Sequence, residues 1–200
     1  MNAVPSACFG AVLRRVLCAA GLAFAVAAPA AAAPGASLVP GASRIAFVTR
    51  QMGVPVEGAF KSFSARVAFD PQHPEGGSVA LEIDAASAAL GVPQVDVELP
   101  KPAWFDAAHF PKAIFQSTRI RRLGNGDFEV VGTLALKGHT QDLVVPVNIA
   151  QSGGESIATG RFTIQRLAFH IGDGEWTDTS MLADEVQVRI RLVLTGLGPL

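Results

Sequence analysis

From Ser43 onward the apolar and polar residues of the chain alternate with period two. Val79, Leu81 and Ile83 alternate with Ala80, Glu82 and Asp84. Phe128, Val130, Gly132, Leu134 and Leu136 alternate with Glu129, Val131, Thr133 and Ala135. The same holds for Leu143, Val145, Val147 and Ile149, and for Val186, Val188, Ile190, Leu192 and Leu194. One dry face and one wet face is the pattern of an antiparallel sheet. Clusters of Gly, Pro, Asn and Asp at 70–77, 124–127, 137–142 and 152–155 punctuate the runs as turns. The spacing predicts eight strands, near 44–52, 58–69, 77–85, 112–123, 127–136, 141–151, 156–166 and 184–195. Pro146 lies inside the sixth. It has no N–H for a ladder, which predicts an edge position or a bulge there.

Two stretches break the alternation. Residues 86–111 contain four prolines in "VPQVDVELPKPAWFDAAHFP" and read as a loop with one or two short helical turns. Residues 170–183, "HIGDGEWTDTSMLA", are a second irregular piece. Eight short strands joined mostly by hairpins form a meander, which closes into a barrel or folds into a sandwich. Closure removes the sticky edges of a sheet, and an eight-stranded barrel is wide enough inside for one small ligand.

The first 33 residues are set apart from this pattern. Arg14 and Arg15 precede a short apolar run, Leu17 to Ala28, and Ala31, Ala32 and Ala33 offer small residues for cleavage. That is the layout of a secretory signal peptide. The expected organisation is a signal peptide over 1–33, a short linker over 34–43 and one domain over 44–200. Cys8 and Cys18, the two cysteines of the chain, fall inside the leader, so the mature domain is held by a core and not by disulfides. Removing Arg14 and Arg15 leaves 14 basic residues against 17 acidic ones, a net charge of −3. That balance excludes nucleic acid as a partner, and no basic run suggests attraction to anionic lipid. A leader implies export.

Candidate chemistry is sparse. His73, His109, His139 and His170 are not at metal-ligand spacing. Asp173, Glu175 and Asp178 cluster in "GDGEWTD", where Asp and Gly serve as turn formers. No G-x-S-x-G elbow and no phosphate-binding glycine loop occurs. No catalytic or metal-binding constellation is therefore expected. What stands out is "WFDAAHFPKAIF", residues 104–115, with four large aromatics in twelve residues of a segment outside the strand pattern. A loop that apolar must cover something. At the end of a barrel it is either a plug or the wall of an entrance.

Four blocks together resemble the YceI-like family in order and spacing. They are "QMGVPVEGAFKSFSARVAFDP" (51–71), "WFDAAHFPKAIFQSTRI" (104–120), "VVGTLALKGHTQDLVVPV" (130–147) and "IQRLAFHIGDGEWTDTSMLADEVQVRIRL" (164–192). The resemblance covers about 44–195. Its more specific elements are the run from Trp104 to Phe115 and the set Gly132, Leu134 and Gly138. It implies a periplasmic polyisoprenoid-binding protein. The implied fold is all-β, an eight-stranded antiparallel lipocalin-like barrel with a short helical or loop insertion around 86–111. Gly172, Gly174, Glu175 and Trp176 resemble the branch found with membrane cytochromes of the b561 type. There are departures. Asp96 and Leu99 keep their places before "WFD", but Val95 and Glu98 stand where the family carries Arg and His. Arg166 and Phe169 match the family, but His170 stands at a glycine position.

The resulting expectation is a carrier of an isoprenoid lipid, either a polyprenyl quinone or a polyprenyl phosphate, with no cofactor besides that lipid. Phe60, Phe63, Phe69, Phe115, Leu134 and Phe162 are expected in the lumen. Trp104, Phe105, Phe110 and Phe169 are expected at its mouth or cover. Asp96, Arg166 and Trp176 are the candidates for headgroup contacts. Two other readings stay open: a ligand-free module, packed solid with its own phenylalanines, that docks on a b561-type cytochrome, and a lipid-modifying enzyme that uses His109 and His170.

Overall fold

A computed structural model describes residues 35–200. The expected leader lies outside the described residues. The strands are β1 (Gly35–Leu38), β2 (Arg44–Gln51), β3 (Val54–Phe60), β4 (Phe63–Ala68), β5 (Ser78–Asp84), β6 (Ala88–Ala89), β7 (Lys112–Arg122), β8 (Asp127–Leu136), β9 (His139–Ser152), β10 (Glu155–Gln165) and β11 (Glu185–Thr195). One four-residue helix, α1 (Pro93–Asp96), and several 3-10 turns complete them. Among the described residues no helix is long and apolar enough to cross a membrane.

The eleven segments make eight strands, because three of the eight are broken. β1 and β2 flank the 3-10 turn Pro40–Ala42, and both pair with β11, through Ser37↔Thr195 and Gln187↔Val48. β3 and β4 form the next strand around, β3 on β2 and β4 on β1. β5 pairs with β4 and β6 with β3. From β5 the sheet runs through β7, β8, β9, β10 and β11, every neighbour antiparallel, and the pairing of β11 with β1 closes it. The fold is a closed eight-stranded antiparallel barrel, the one of the two forms open to such a meander that the family resemblance implied.

The breaks are aligned. Lys61 N–H donates to the Ser87 carbonyl, Asp84 N–H to the Ser62 carbonyl, and Ser62 N–H to the Ser87 hydroxyl. Two strands therefore bend at the same height, where a sheet has to turn a corner to close. The first strand corrects the sequence reading. From Gly35 the segment expected as a linker is barrel wall, because its backbone pairs on both sides. Its four residues are too short for a period-two pattern to register.

Pro146 sits in β9, opposite Glu129 of β8. On the other side the ladder with β10 ends at Gly160↔Val147, one residue before the proline. The ring thus stands at a local edge inside a closed barrel, where no donor is needed. A second irregularity lies in β7, where the register shifts between Ser117 and Arg119. The Ser117 hydroxyl accepts from Val79 N–H at 2.8 Å and bridges the gap. This bulge flips the inward face, from Ala113 and Phe115 to Ile120.

The two ends of the barrel differ. The β4–β5, β7–β8 and β9–β10 connections share one end, which Phe69 and Phe128 fill in an edge-on pair at 5.1 Å. The C-terminal tail crosses there, with Gln151 holding the Gly198 carbonyl and Leu200 N–H. Both irregular segments lie at the opposite end, with the β2–β3 and β8–β9 hairpins.

Candidate functional site

Because side chains alternate across each strand, every second residue points inward. Ile45 and Phe47 of β2, Val130 and Leu134 of β8, Val145 and Val147 of β9 and Val188 and Ile190 of β11 enclose a cavity of about 580 Å³. That lies within the ~300–1,000 Å³ usual for small-molecule sites. Its polar lining residues are Thr49, Gln51, Gln94, Glu98, Arg166 and Glu175, and all six belong to the end that carries the irregular segments. The rest of the wall is hydrocarbon.

Glycines make room for the large lumen residues. A Cβ on Gly132 would stand 2.7 Å from the Phe115 ring, and one on Gly58 would overlap Phe47 and Leu90. Phe47 and Phe115 pack into the space that these missing side chains leave. Phe47 and Phe60 approach to 5.5 Å, and Phe60 meets Phe105 of the loop edge-on at 5.6 Å. A file of aromatic contacts thus joins the wall to the segment above it.

That segment is tightly wound. Phe105 N–H donates to the Leu99 carbonyl, Trp104 N–H to Lys101 and Phe110 N–H to Asp106, whose φ of 48° turns the chain back. Gly172 and Asp173 donate both their N–H groups to the Ala103 carbonyl, which ties the two irregular segments together. The buried Lys137 adds a second tie, donating to Asp173 at 2.9 Å and to the His170 carbonyl.

Arg166 organises the second segment. It is 2% exposed. Its Nε donates to the Ala183 carbonyl at 3.0 Å. Nη1 serves Ile171 at 2.8 Å and Gly172 at 3.3 Å, and Nη2 serves Trp176 at 2.6 Å and Leu182 at 2.7 Å. Burial pulls this guanidinium below its ordinary pKa, while nearby Asp184 works the other way; arginine stays charged regardless.

The expected site residues separate by position. Phe60, Phe69, Phe115, Leu134 and Phe162 line the cavity, as do Trp104, Phe105, Arg166 and Trp176. Phe63, Phe110, Phe169 and Asp96 do not. Phe63 packs partly buried on the core from a strand end. Phe169 is 1% exposed within the core. Phe110 lies outside, its ring over Gly138 of the β8–β9 turn. The Asp96 carboxylate accepts from Leu90 N–H at 2.6 Å and so pins the loop. Arg166 reaches the lumen, yet its five N–H donors all serve protein carbonyls, so it has none left for a headgroup. The sequence reading missed Phe47 and Leu90. The alternation through Ile45, Phe47, Thr49 and Gln51 carried the signal for the first.

The histidines sit away from the cavity. His109 is on the surface, 2.9 Å from Asp106, and His170 stacks on His139 at 4.5 Å. Neither lines the lumen. His170 has a φ of 54°, which explains why a glycine suits that position. Among the described residues no group of three His, Cys, Asp or Glu side chains is placed to hold a metal ion.

A closed antiparallel barrel with an apolar lumen and its few polar residues at one end has the architecture of a ligand-holding barrel. The YceI-like domain matches residues 37–194, and the chain belongs to that family. It is 28% identical over 145 residues to a UPF0312 protein of Vibrio cholerae, covering 70% of this chain and 77% of the relative. The crystal structure of BcnA from Burkholderia cenocepacia superposes with a TM-score of 0.76 at 42% identity, over 78% of this chain and 99% of that one. A polyisoprenoid binding domain from Saccharophagus degradans, implicated in plant cell wall breakdown, shares the fold with a TM-score of 0.66. That likeness is at 17% identity and covers 81% of this chain and 98% of that one.

Proposed function

We propose that the protein is a periplasmic carrier that holds the apolar tail of an isoprenoid lipid, a polyprenyl quinone, in its lumen. The observation that carries this reading is the cavity of about 580 Å³ with hydrocarbon walls and its polar residues confined to one end. A prenyl tail is excluded from water at roughly 0.8 kcal/mol per CH₂-sized group. At about 0.3 kcal/mol per heavy atom, forty tail carbons would supply on the order of 12 kcal/mol, near nanomolar affinity. Sterics and dispersion suffice for that, and no reacting group is needed. The polyisoprenoid binding named for the Saccharophagus neighbour supports the same ligand class. The open lumen speaks against a barrel packed solid with its own phenylalanines. The distance of His109 and His170 from the lumen speaks against a lipid-modifying role for them.

With Arg166 committed and Glu98 paired with Lys101 at 2.6 Å, the groups left to meet a headgroup are Gln51, Gln94 and Glu175. Two are amides and one is an acid, a set that suits a neutral quinone ring better than a phosphate. The test is native mass spectrometry of protein purified from its own periplasm, followed by solvent extraction of the bound lipid. A stoichiometric prenyl quinone is expected, lost in Ala158→Phe, which fills the lumen. A bare protein mass that stays unchanged after incubation with quinones overturns the reading.

A further inference from the structure

Among the described residues ten large apolar side chains stand exposed, and six of them gather around the cavity mouth: Met52, Val54, Val92, Val95, Val97 and Met181, between 40% and 70% exposed. Met52 and Val54 come from the β2–β3 hairpin. Met52 N–H donates to the Met181 carbonyl at 2.8 Å, and Gln51 bridges to Leu182, so the second irregular segment is stitched to the hairpin. On the other side β6 pairs with β3, and Leu90 packs against Gly58. The chain therefore reaches Val92 alongside β3, and α1 follows with Val95 and Val97. Gln51, Val95 and Leu182 also line the cavity, so rim and lumen form one continuous surface.

We propose that this rim is a membrane-docking surface, which sets the mouth onto the acyl layer of a lipid bilayer so that cargo passes without crossing water. The inference rests on the carrier reading. A tail released from a mouth surrounded by water would be exposed along its length at the moment of transfer. A rim seated in hydrocarbon removes that barrier. The chemistry of the rim favours a bilayer over a protein. None of the six side chains carries a hydrogen-bonding group, and none is an aromatic or arginine anchor of the kind from which protein interfaces draw most of their affinity. Arg50, beside the hairpin tip, has no carboxylate partner among the described residues, and its Nη1 donates to Gly53. It stands where lipid phosphates would lie. One cation on an acidic protein is not an electrostatic anchor, so docking is driven by apolar burial and depends little on salt.

The test is flotation of the purified protein with phosphatidylcholine vesicles, paired with transfer of a long-chain prenyl quinone between vesicle populations. The double variant Val54→Asp, Val97→Asp alters two rim residues that do not line the cavity. Val144→Asp, on the barrel flank, is the control, and thermal melts establish that both fold. Wild type and control should float at low and high salt, and the double variant should partition roughly tenfold less or worse. Its transfer rate should fall with it, while native mass spectrometry still finds quinone when the lipid is offered in detergent. The proposal is overturned if the double variant floats like wild type. It is overturned equally if wild type floats only with vesicles that contain native membrane proteins, which points to a protein partner. Loaded wild type that never floats sinks the docking surface alone; wild type that never loads sinks the carrier reading and this one with it.

Discussion

Trp104 and Trp176 meet at the mouth of the cavity with their ring centroids 5.4 Å apart, one from each irregular segment. They are the only two tryptophans of the chain. All indole emission therefore reports on the place where a ligand would enter. A quinone bound in the lumen brings an electron acceptor within reach of both rings. Titration with a prenyl quinone should quench tryptophan emission in a saturable way, and Trp104→Phe and Trp176→Phe should each retain part of the response. Quenching that rises linearly without saturation would mean collision in solution and no site.

Arg166 makes the second irregular segment a defined structure and not a mobile flap. Replacing it with methionine takes the guanidinium away from five carbonyls, of which Ala183 keeps only the Thr49 hydroxyl at 3.5 Å. Hydrogen bonds from a charged donor are worth about 1.5–3 kcal/mol each, and they act together. Arg166→Met is expected to cost about 3 kcal/mol or more in denaturant unfolding, with Trp176 emission shifted toward that of exposed indole. Lysine should recover only part, because an ammonium has three donors and no planar fork. A methionine variant within about 0.5 kcal/mol of wild type would remove Arg166 from this role.

Gly132 is the floor on which Phe115 rests. A methyl group there would meet the ring at 2.7 Å and would also press on the Gln116 carbonyl of the neighbouring strand. The ring can swing, but only into the lumen, and the carbonyl cannot move without the strand. Gly132→Ala should destabilise the barrel by about 1–3 kcal/mol and narrow the cavity, so stability and lipid uptake should fall together. Unchanged uptake with lowered stability would show that Phe115 does not limit the space.

Period two was the most readable feature of the sequence, because each wall residue answers to one dry and one wet face. It located the eight strands and the inward sets of β5, β8, β9 and β11. It could not foresee the bulge at Thr118, where one extra residue reverses the parity of β7. Nor could it register β1, which is shorter than the repeat needed to see a pattern. The apolar segment 104–115 was legible as a cover from its composition. Its division was not: Trp104 and Phe105 face the lumen while Phe110 faces outward, because the left-handed turn at Asp106 reverses the chain between them. Arg166 illustrates the same limit. An arginine near a ligand cavity invites a headgroup contact, and only the positions of the five carbonyls around it reveal that its donors are spent.

At the closed end, Asp70 and His73 bracket the turn into β5, with Nδ1 of the imidazole 3.0 Å from the carboxylate. The hydrogen bond that the imidazole donates to Asp70, helped by the carboxylate's charge, raises the His73 pKa above its ordinary 6.5. The same bond, followed by the Gln72 N–H, lowers Asp70 below its ordinary 3.8. The signs set a window. A raised histidine contributes stability that is fully present below 6.5 and is lost as pH rises through its folded value. A depressed carboxylate contributes stability that is present above 3.8 and is lost as pH falls through its folded value. The pair therefore supports the turn between those two limits and does nothing for it in alkali. The imidazole is well exposed and the carboxylate about a third so, so the effect is small and screened by salt. His73→Gln should lower the melting temperature slightly at pH 5 in low salt and leave it unchanged at pH 8.5. Proton NMR should find the His73 ring titrating above 6.5, and Asp70→Asn should bring it back toward that value. A ring that titrates at or below 6.5 in the wild-type protein would show that the ion pair does not form in solution.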